Sequence, residues 1–173
     1  MALTEPETLE LVHLLEKIEW PVNKQIFHAL MAKIVSVPIE LAVIDDKNQI
    51  FTSYRRDTEY DGHHFPGTVL RDNETVPGAI CRLLKSELAD AKIESIKNIG
   101  WIEICRGNDF GKNPTRHEVS LLWLARIKNY IGKSGVFSPF DQLPKNILSH
   151  HRLIAEKVQE YLQTGIPILG IVR

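Results

Sequence analysis

The sequence predicts one α+β domain built as a mixed sheet covered by helices. Three observations lead there. The spacing of apolar residues is helical up to about residue 36, then strand-like, then mixes the two. The composition, 43% hydrophobic and 25% charged, is that of a globular chain able to bury a core. No internal repeat, low-complexity tract or linker divides the chain, so strands and helices are expected to share that core.

Residues 5–19 carry Leu9, Val12, Leu15 and Ile18 at helical spacing, with acidic residues early, where the helix dipole favours them. Trp20-Pro21 interrupts this helix, and Trp20 is expected to anchor it. Residues 22–34 predict a second short helix with Ile26, Phe27, Leu30 and Ile34 on one face. This front section holds no catalytic pattern and is expected to pack or to form a dimer contact. "VPIELAVID" (37–45) is a buried strand by its β-branched and apolar content. Turn residues at 45–49 lead into a returning strand, "IFTSYRR" (50–56), which makes a hairpin. Residues 57–67, with Gly62, Pro66 and Gly67, have loop chemistry. Val76, Ala79, Ile80, Leu83 and Leu84 predict a helix over 76–88, with Pro77 tolerated in its first turn. Strands are expected at 94–106 and 117–127, around a polar loop at 107–116. A turn-rich stretch (137–147) and a terminal helix (149–163) follow.

A formal net charge of −1 offers no bulk field toward nucleic acid or membrane, and no basic–aromatic stripe suggests a nucleic-acid surface. No apolar run reaches the length of a membrane span and no leader pattern opens the chain, so a cytoplasmic protein is expected. Cys81 and Cys105 are too few for a zinc set and are expected to be buried free thiols. Trp101 and Trp123, in strands, are expected in the core. His150 and His151, near a helix start, are expected to be structural or solvated.

The stretch "HHFPGTVLRDNETVPGAICRLLKSELADAK" (63–92) concentrates the chemistry. Glu74 precedes the helix, where a carboxylate suits the dipole. Arg82 lies eight residues on, beyond an i,i+4 pair, so Glu74 meets it only if the loop folds back over the helix. Glu87 in the last turn opposes the dipole and sits at the margin of the apolar stripe, a position that asks for an arginine, a lysine or a divalent cation.

The order hairpin, "HFPGT", Glu74, Arg82, Glu87 resembles the box of the Nudix hydrolases. Glu74, Arg82, Leu84 and Glu87 match its pattern. Thr68 stands at the box glycine with Gly67 just before it, Leu83 and Ser86 replace two glutamates, and Ala89-Asp90 replaces the closing glycine–aliphatic pair. The likeness runs from about Val37 to Leu148 and implies an α/β/α Nudix sandwich over 37–173 with a helical N-terminal extension over 1–36.

The resemblance further implies Mg²⁺ or Mn²⁺ held against a diphosphate, and a small-molecule nucleoside diphosphate substrate. The box keeps Arg-Leu at 82–83 and only the last glutamate, which is similar to the GDP-mannose mannosyl hydrolase branch. By that likeness Glu87 is a metal ligand and the carbonyl of Gly67 or Thr68 a second. Glu74 and Arg82 complete the catalytic set. Glu40 faces the sugar, Arg55 or Arg56 faces the diphosphate, and His117 has a histidine counterpart. The arginines are neighbours on a strand, so one is expected to meet the site and one to point away, as are His117 and Glu118. The branch's Gln-His pair, the source of its base, has no match in "NYIGKSGVF" (129–137), which leaves His63, His64 and Glu118 as the nearest substitutes. The expected function is a Mg-dependent hydrolase of a nucleoside diphosphate linked to another moiety, with a homodimer through the front helices. The missing glutamates and base also fit a non-catalytic nucleotide-binding or protein-interaction module. Substrate-determining loops are expected at 57–65 and 107–116.

Overall fold

The two apolar runs around the 45–49 turn lie at the centre of a mixed sheet. The computed structural model describes residues 3–19, 22–57, 60–88, 91–105, 117–128, 130 and 135–172. The helices are α1 (Glu5–Glu16), α2 (Lys24–Met31), α3 (Val76–Glu87) and α4 (Ser149–Thr164). The strands are β1 (Val35–Ser36), β2 (Pro38–Ile44), β3 (Ile50–Arg56), β4 (Asp61–His64), β5 (Gly67–Val69), β6 (Lys92–Ile104), β7 (His117–Lys128), β8 (Gly135–Ser138) and β9 (Ile168–Val172).

The main path of the sheet runs β4-β3-β2-β7-β6-β9. β2 and β7 are parallel, with Glu40 opposite Leu122, whereas β6 and β7 are antiparallel. β2 pairs with β3 through Ile44 and Ile50; its other end pairs instead with β5, Glu40 facing Gly67. The sheet therefore opens between β2 and β3, and the stretch ahead of α3 fills the gap.

Alternation along the strands sends side chains to two layers. One face carries Ala42, Ile44, Leu122 and Leu124 against Ile154, Ala155 and Val158 of α4. The other carries Leu41, Val43, Ala125 and Ile127 against Leu83 of α3, with Ile39 against Ala79 and Ile80. Each such aliphatic side chain contributes about 1.5–3 kcal/mol by leaving water, so the two clusters hold the helices to opposite faces of the sheet. At the start of α3 the Thr75 hydroxyl accepts from the Gly78 N–H at 3.2 Å. α4 stops at Gly165, whose φ of 70° is left-handed.

Several expectations change. The stretch 57–67 is not all loop: β4 and the start of β5 lie in it, and "DGHH" pairs with β3 although it lacks an apolar alternation. β8 begins the region expected to be only turns and pairs with β3. β9 adds a parallel strand next to β6 where no element was expected. Cys81 is exposed rather than buried, because it lies one helical step past Ile80 and rotates off the Ala79–Ile80–Leu83 stripe; Cys105 is partly buried. Of the apolar face expected on α2, Ile26 and Ile34 are exposed, and Met31 is the buried residue of that helix. α1 has no buried residue. Trp123 packs against the α3-side clusters. Among the described residues no helix is long and apolar enough to cross a membrane. The expectations for Trp20, Ala89-Asp90 and the 107–116 loop lie outside the described residues, as does most of 129–134.

Candidate functional site

The opening between β2 and β3 leads into a cavity of about 850 Å³, within the size range of small-molecule sites. Its wall draws on elements distant in sequence: Lys24, Phe27 and His28 of α2, Glu40 of β2, Arg55 and Arg56 of β3, Gly67 and Thr68 of β5, Glu87 of α3, Glu118 of β7, and His150 and His151 of α4. The second front helix is thus more than packing, because α2 forms one side of the cavity, whereas α1 contributes no lining residue.

Three carboxylates meet here. Register explains two of them: Glu118 is four residues before Leu122, which pairs with Glu40, so both point to the α4 face. Glu40 is largely desolvated and feels the negative charge of Glu118 and Glu87, and these three effects hold its carboxyl well above the usual range. Its Oε2 is buried with no hydrogen-bond partner. That oxygen lies 3.8 Å from Nδ1 of His151, yet the contact is not an ion pair. The Phe65 N–H donates to the same Nδ1 at 3.3 Å, and burial holds the imidazole well below its ordinary value, so His151 is neutral.

Glu87 turns inward from the end of α3. Burial pushes its carboxyl up to about 7, offset in part by the Arg55 charge and by a hydrogen bond from the Gly67 N–H. Arg55 is held by Asp57, with Nη2 at 2.6 Å from Oδ2, and its guanidinium lies 4.8 Å from the centre of the Tyr60 ring. Arg56 also lines the cavity rather than pointing away as expected; its side chain is 78% exposed and lies 4.0 Å from Asp61.

Arg82 and Glu74 have a different place. The guanidinium grips the carboxylate in a fork, Nε to Oε1 at 2.8 Å and Nη2 to Oε2 at 2.7 Å. Arg82 also donates to Thr68 Oγ1 at 2.7 Å and to the Val69 carbonyl at 3.2 Å. The arginine holds Glu74 at about 2, far below an ordinary carboxyl. The loop does fold back over the helix, and the clamp fixes β5. Neither residue is among those that line the cavity.

His117 also lies elsewhere. Its Nε2 bonds Glu103 Oε1 at 2.8 Å, on the sheet face opposite Glu118. His63 bonds Thr52 Oγ1 at 3.1 Å and is not among the cavity residues. His64 lines the cavity with both ring nitrogens engaged, Nδ1 with the Phe65 carbonyl and Nε2 with Ser53 Oγ.

Glu87 offers an inward carboxylate whose carboxyl is pushed up, an oxygen donor of the kind a hard cation favours, and Glu40 adds an orphaned buried oxygen to the same cavity. Among the described residues the oxygens of Glu40, Glu87 and Glu118 do not form a three-ligand cluster, so a cation there would rest chiefly on Glu87 with backbone and ligand oxygens. Leu83 is buried in the core, and the Ser86 hydroxyl donates to the Leu83 carbonyl at 3.0 Å, so these two replaced box positions add no carboxylate. Sequence reading missed the cavity role of His151 and α2. The pairing that puts Glu40 and Glu118 on one face, with Glu40 opposite Leu122 and Glu118 opposite Ser36, depends on register, which no local pattern reveals.

No family model and no curated protein matches the chain in sequence. Solved structures do match in shape. A MutT protein from Methanosarcina mazei Go1 aligns with TM-score 0.56 at 10% identity, over 76% of this chain and 98% of that one. A MutT Nudix hydrolase from Burkholderia pseudomallei aligns with TM-score 0.57 at 18% identity, over 73% of this chain and 99% of that one. An ADP-ribose pyrophosphatase from Streptococcus suis aligns with TM-score 0.54 at 13% identity, over 80% of this chain and 100% of that one. This chain has the α/β/α sandwich fold of the Nudix hydrolases.

Proposed function

We propose that the protein belongs to the Nudix hydrolases and cleaves a nucleoside diphosphate linked to another moiety, with Mg²⁺ or Mn²⁺. The observation that carries this is the meeting of Glu40, Glu87 and Glu118 with Arg55 in one cavity. A diphosphate brings concentrated charge, and a guanidinium with a carboxylate-held cation is the matching set.

Glu87 is the main carboxylate ligand, with the carbonyl of Gly67 or Thr68 beside it. The cation, when bound, would draw charge off the leaving diphosphate. Arg55 orders the phosphates, and Arg56 reaches the same ligand from the more exposed side. Glu40, whose carboxyl is held well above the usual range by burial and by the charges of Glu118 and Glu87, faces the cavity and offers a hydrogen bond toward a sugar or other polar moiety. Glu118, a carboxylate on the wall of the same cavity, is the proton acceptor this reading assigns to an attacking water. Glu74 and Arg82 act as positioning residues that hold the backbone of β5 against Glu87. His117 takes no part.

The test is a product assay on a panel of nucleoside diphosphate compounds in ¹⁸O-labelled water, with and without Mg²⁺. Turnover that needs the metal and is lost in Glu87→Gln supports the reading, and the labelled product tells attack at phosphorus from attack at carbon. Metal-independent turnover, or turnover unchanged in Glu87→Gln, contradicts it. A second reading, a nucleotide-binding module without catalysis, draws on the core position of Leu83, which costs the site a box carboxylate. Ligand-induced thermal shifts without turnover distinguish it.

A further inference from the structure

On the opposite face of the sheet from Glu118, three side chains with metal-binding chemistry stand together. Glu103, Cys105 and His117 each present one ligand atom, and the three atoms lie within 4.8 Å of one another. The strand register brings them together. β6 and β7 pair antiparallel with Glu103 opposite Val119 and Ile104 opposite Glu118, so the next step sets Cys105 opposite His117. Glu103 and Cys105 are two apart and share a face, and His117 is two before Val119 and shares that same face. The His117 backbone is held on its other side as well, since β1 pairs Val35 with it and the Ser36 hydroxyl donates to its carbonyl at 3.5 Å.

The geometry points to a zinc site formed by Cys105, His117 and Glu103, separate from the carboxylate cavity. A thiolate and an imidazole are borderline-to-soft donors, which select zinc over the magnesium or manganese that an all-oxygen set favours. In a tetrahedral zinc site a nitrogen and an oxygen ligand stand about 3.3 Å apart and a sulfur and an oxygen about 3.6 Å. Here Nε2 of His117 is 2.8 Å from Oε1 of Glu103, and Sγ of Cys105 is 4.0 Å from the same oxygen. The present spacings straddle the required ones by about half an ångström, within reach of side-chain rotation at partly buried positions. Three protein ligands leave a fourth position for water or another donor.

The site joins the ends of two strands, and the residue after His117 is Glu118 of the cavity. Zinc on one face therefore steadies the carboxylate on the other through one peptide unit. The inference stands independently of the proposed hydrolase activity, since it uses none of the cavity residues as ligands.

The experiment is a Co²⁺ titration of the full chain after metal stripping, in a Cys81→Ser background that removes the exposed thiol. One equivalent of Co²⁺ is expected to produce tetrahedral visible bands and a thiolate charge-transfer band, both displaced by Zn²⁺. The charge-transfer band should vanish in Cys105→Ser and persist in Glu87→Gln. His117→Gln and Glu103→Gln, which keep size and shape, should each weaken binding by at least about tenfold. Failure to see a thiolate band at saturating Co²⁺, its survival in Cys105→Ser, or its loss in Glu87→Gln overturns the assignment.

Discussion

Gly67 and Glu40 face each other across the β2–β5 pairing so closely that a Cβ on Gly67 would sit 2.9 Å from Glu40 Oε2. This glycine leaves the room that the Glu40 carboxyl occupies. Gly67→Ala should displace the carboxyl and shift the Glu87 contact with the Gly67 N–H at the same time. The expected outcome is folded protein with weakened divalent-cation and ligand binding. Calorimetry with Mn²⁺ and a nucleoside diphosphate checks it; unchanged binding shows that the close approach is incidental.

Leu83 stands where the box has a glutamate, and it is 1% exposed between Leu41, Val43 and Ala125. Leu83→Glu should therefore fail to restore a metal ligand. An unpaired carboxylate buried there costs on the order of 3–5 kcal/mol. Leu83→Ala should cost about 2–5 kcal/mol through the cavity it leaves. Denaturant unfolding of both variants measures this. A stable Leu83→Glu protein with tighter Mn²⁺ binding would mean that the side chain reaches the site after all.

The Arg82 fork on Glu74 is a loop clamp, so Arg82→Lys should not substitute for it, because a lysine cannot span the carboxylate, Thr68 and Val69 together. A lowered Tm with reduced kcat/KM is expected in both Arg82→Lys and Glu74→Gln. The Glu74 carboxyl is depressed to about 2, so the clamp's contribution is complete above the ordinary carboxyl range, near pH 4.5, and is lost as pH falls toward 2. Thermal unfolding between pH 2 and 5, with Glu74→Gln as the reference, isolates that contribution. Parallel profiles for the two proteins would remove it.

Glu87 has the opposite sign. Its folded carboxyl is raised from 4.5 to about 7, so the folded metal-free chain holds this proton more tightly than the unfolded one. Its stability contribution is complete below about pH 4.5 and disappears as pH rises through about 7. Glu40, also raised, adds in the same direction. Mn²⁺ competes with that proton, so its affinity should rise as pH increases from 6 to 8, and Glu87→Gln should flatten the dependence. A titration series at several pH values reads the slope directly.

Much of the fold was legible because the signals were local. The apolar stripe of α3, the runs of β2 and β7, and the loop-to-helix reach from Glu74 to Arg82 are properties of short segments. The rest depends on contacts distant in sequence. β4 is polar and takes its strand form from β3, and β9 is fixed by β6. The same holds at the site. Glu87 could be singled out from its place on the helix, whereas His151 enters the cavity through the packing of α4. His117 was singled out for the cavity, but the parity of β7 carries it to the other face, beside Glu103.

The most direct measurement is Mn²⁺ binding followed by electron paramagnetic resonance at pH 8, on the native chain and on Glu87→Gln, with and without a nucleoside diphosphate compound. Weak binding by the native chain that strengthens at least about tenfold with the diphosphate, and is lost in Glu87→Gln, is the predicted result. Equal Mn²⁺ binding by the two proteins in both conditions contradicts an inward, cation-holding Glu87.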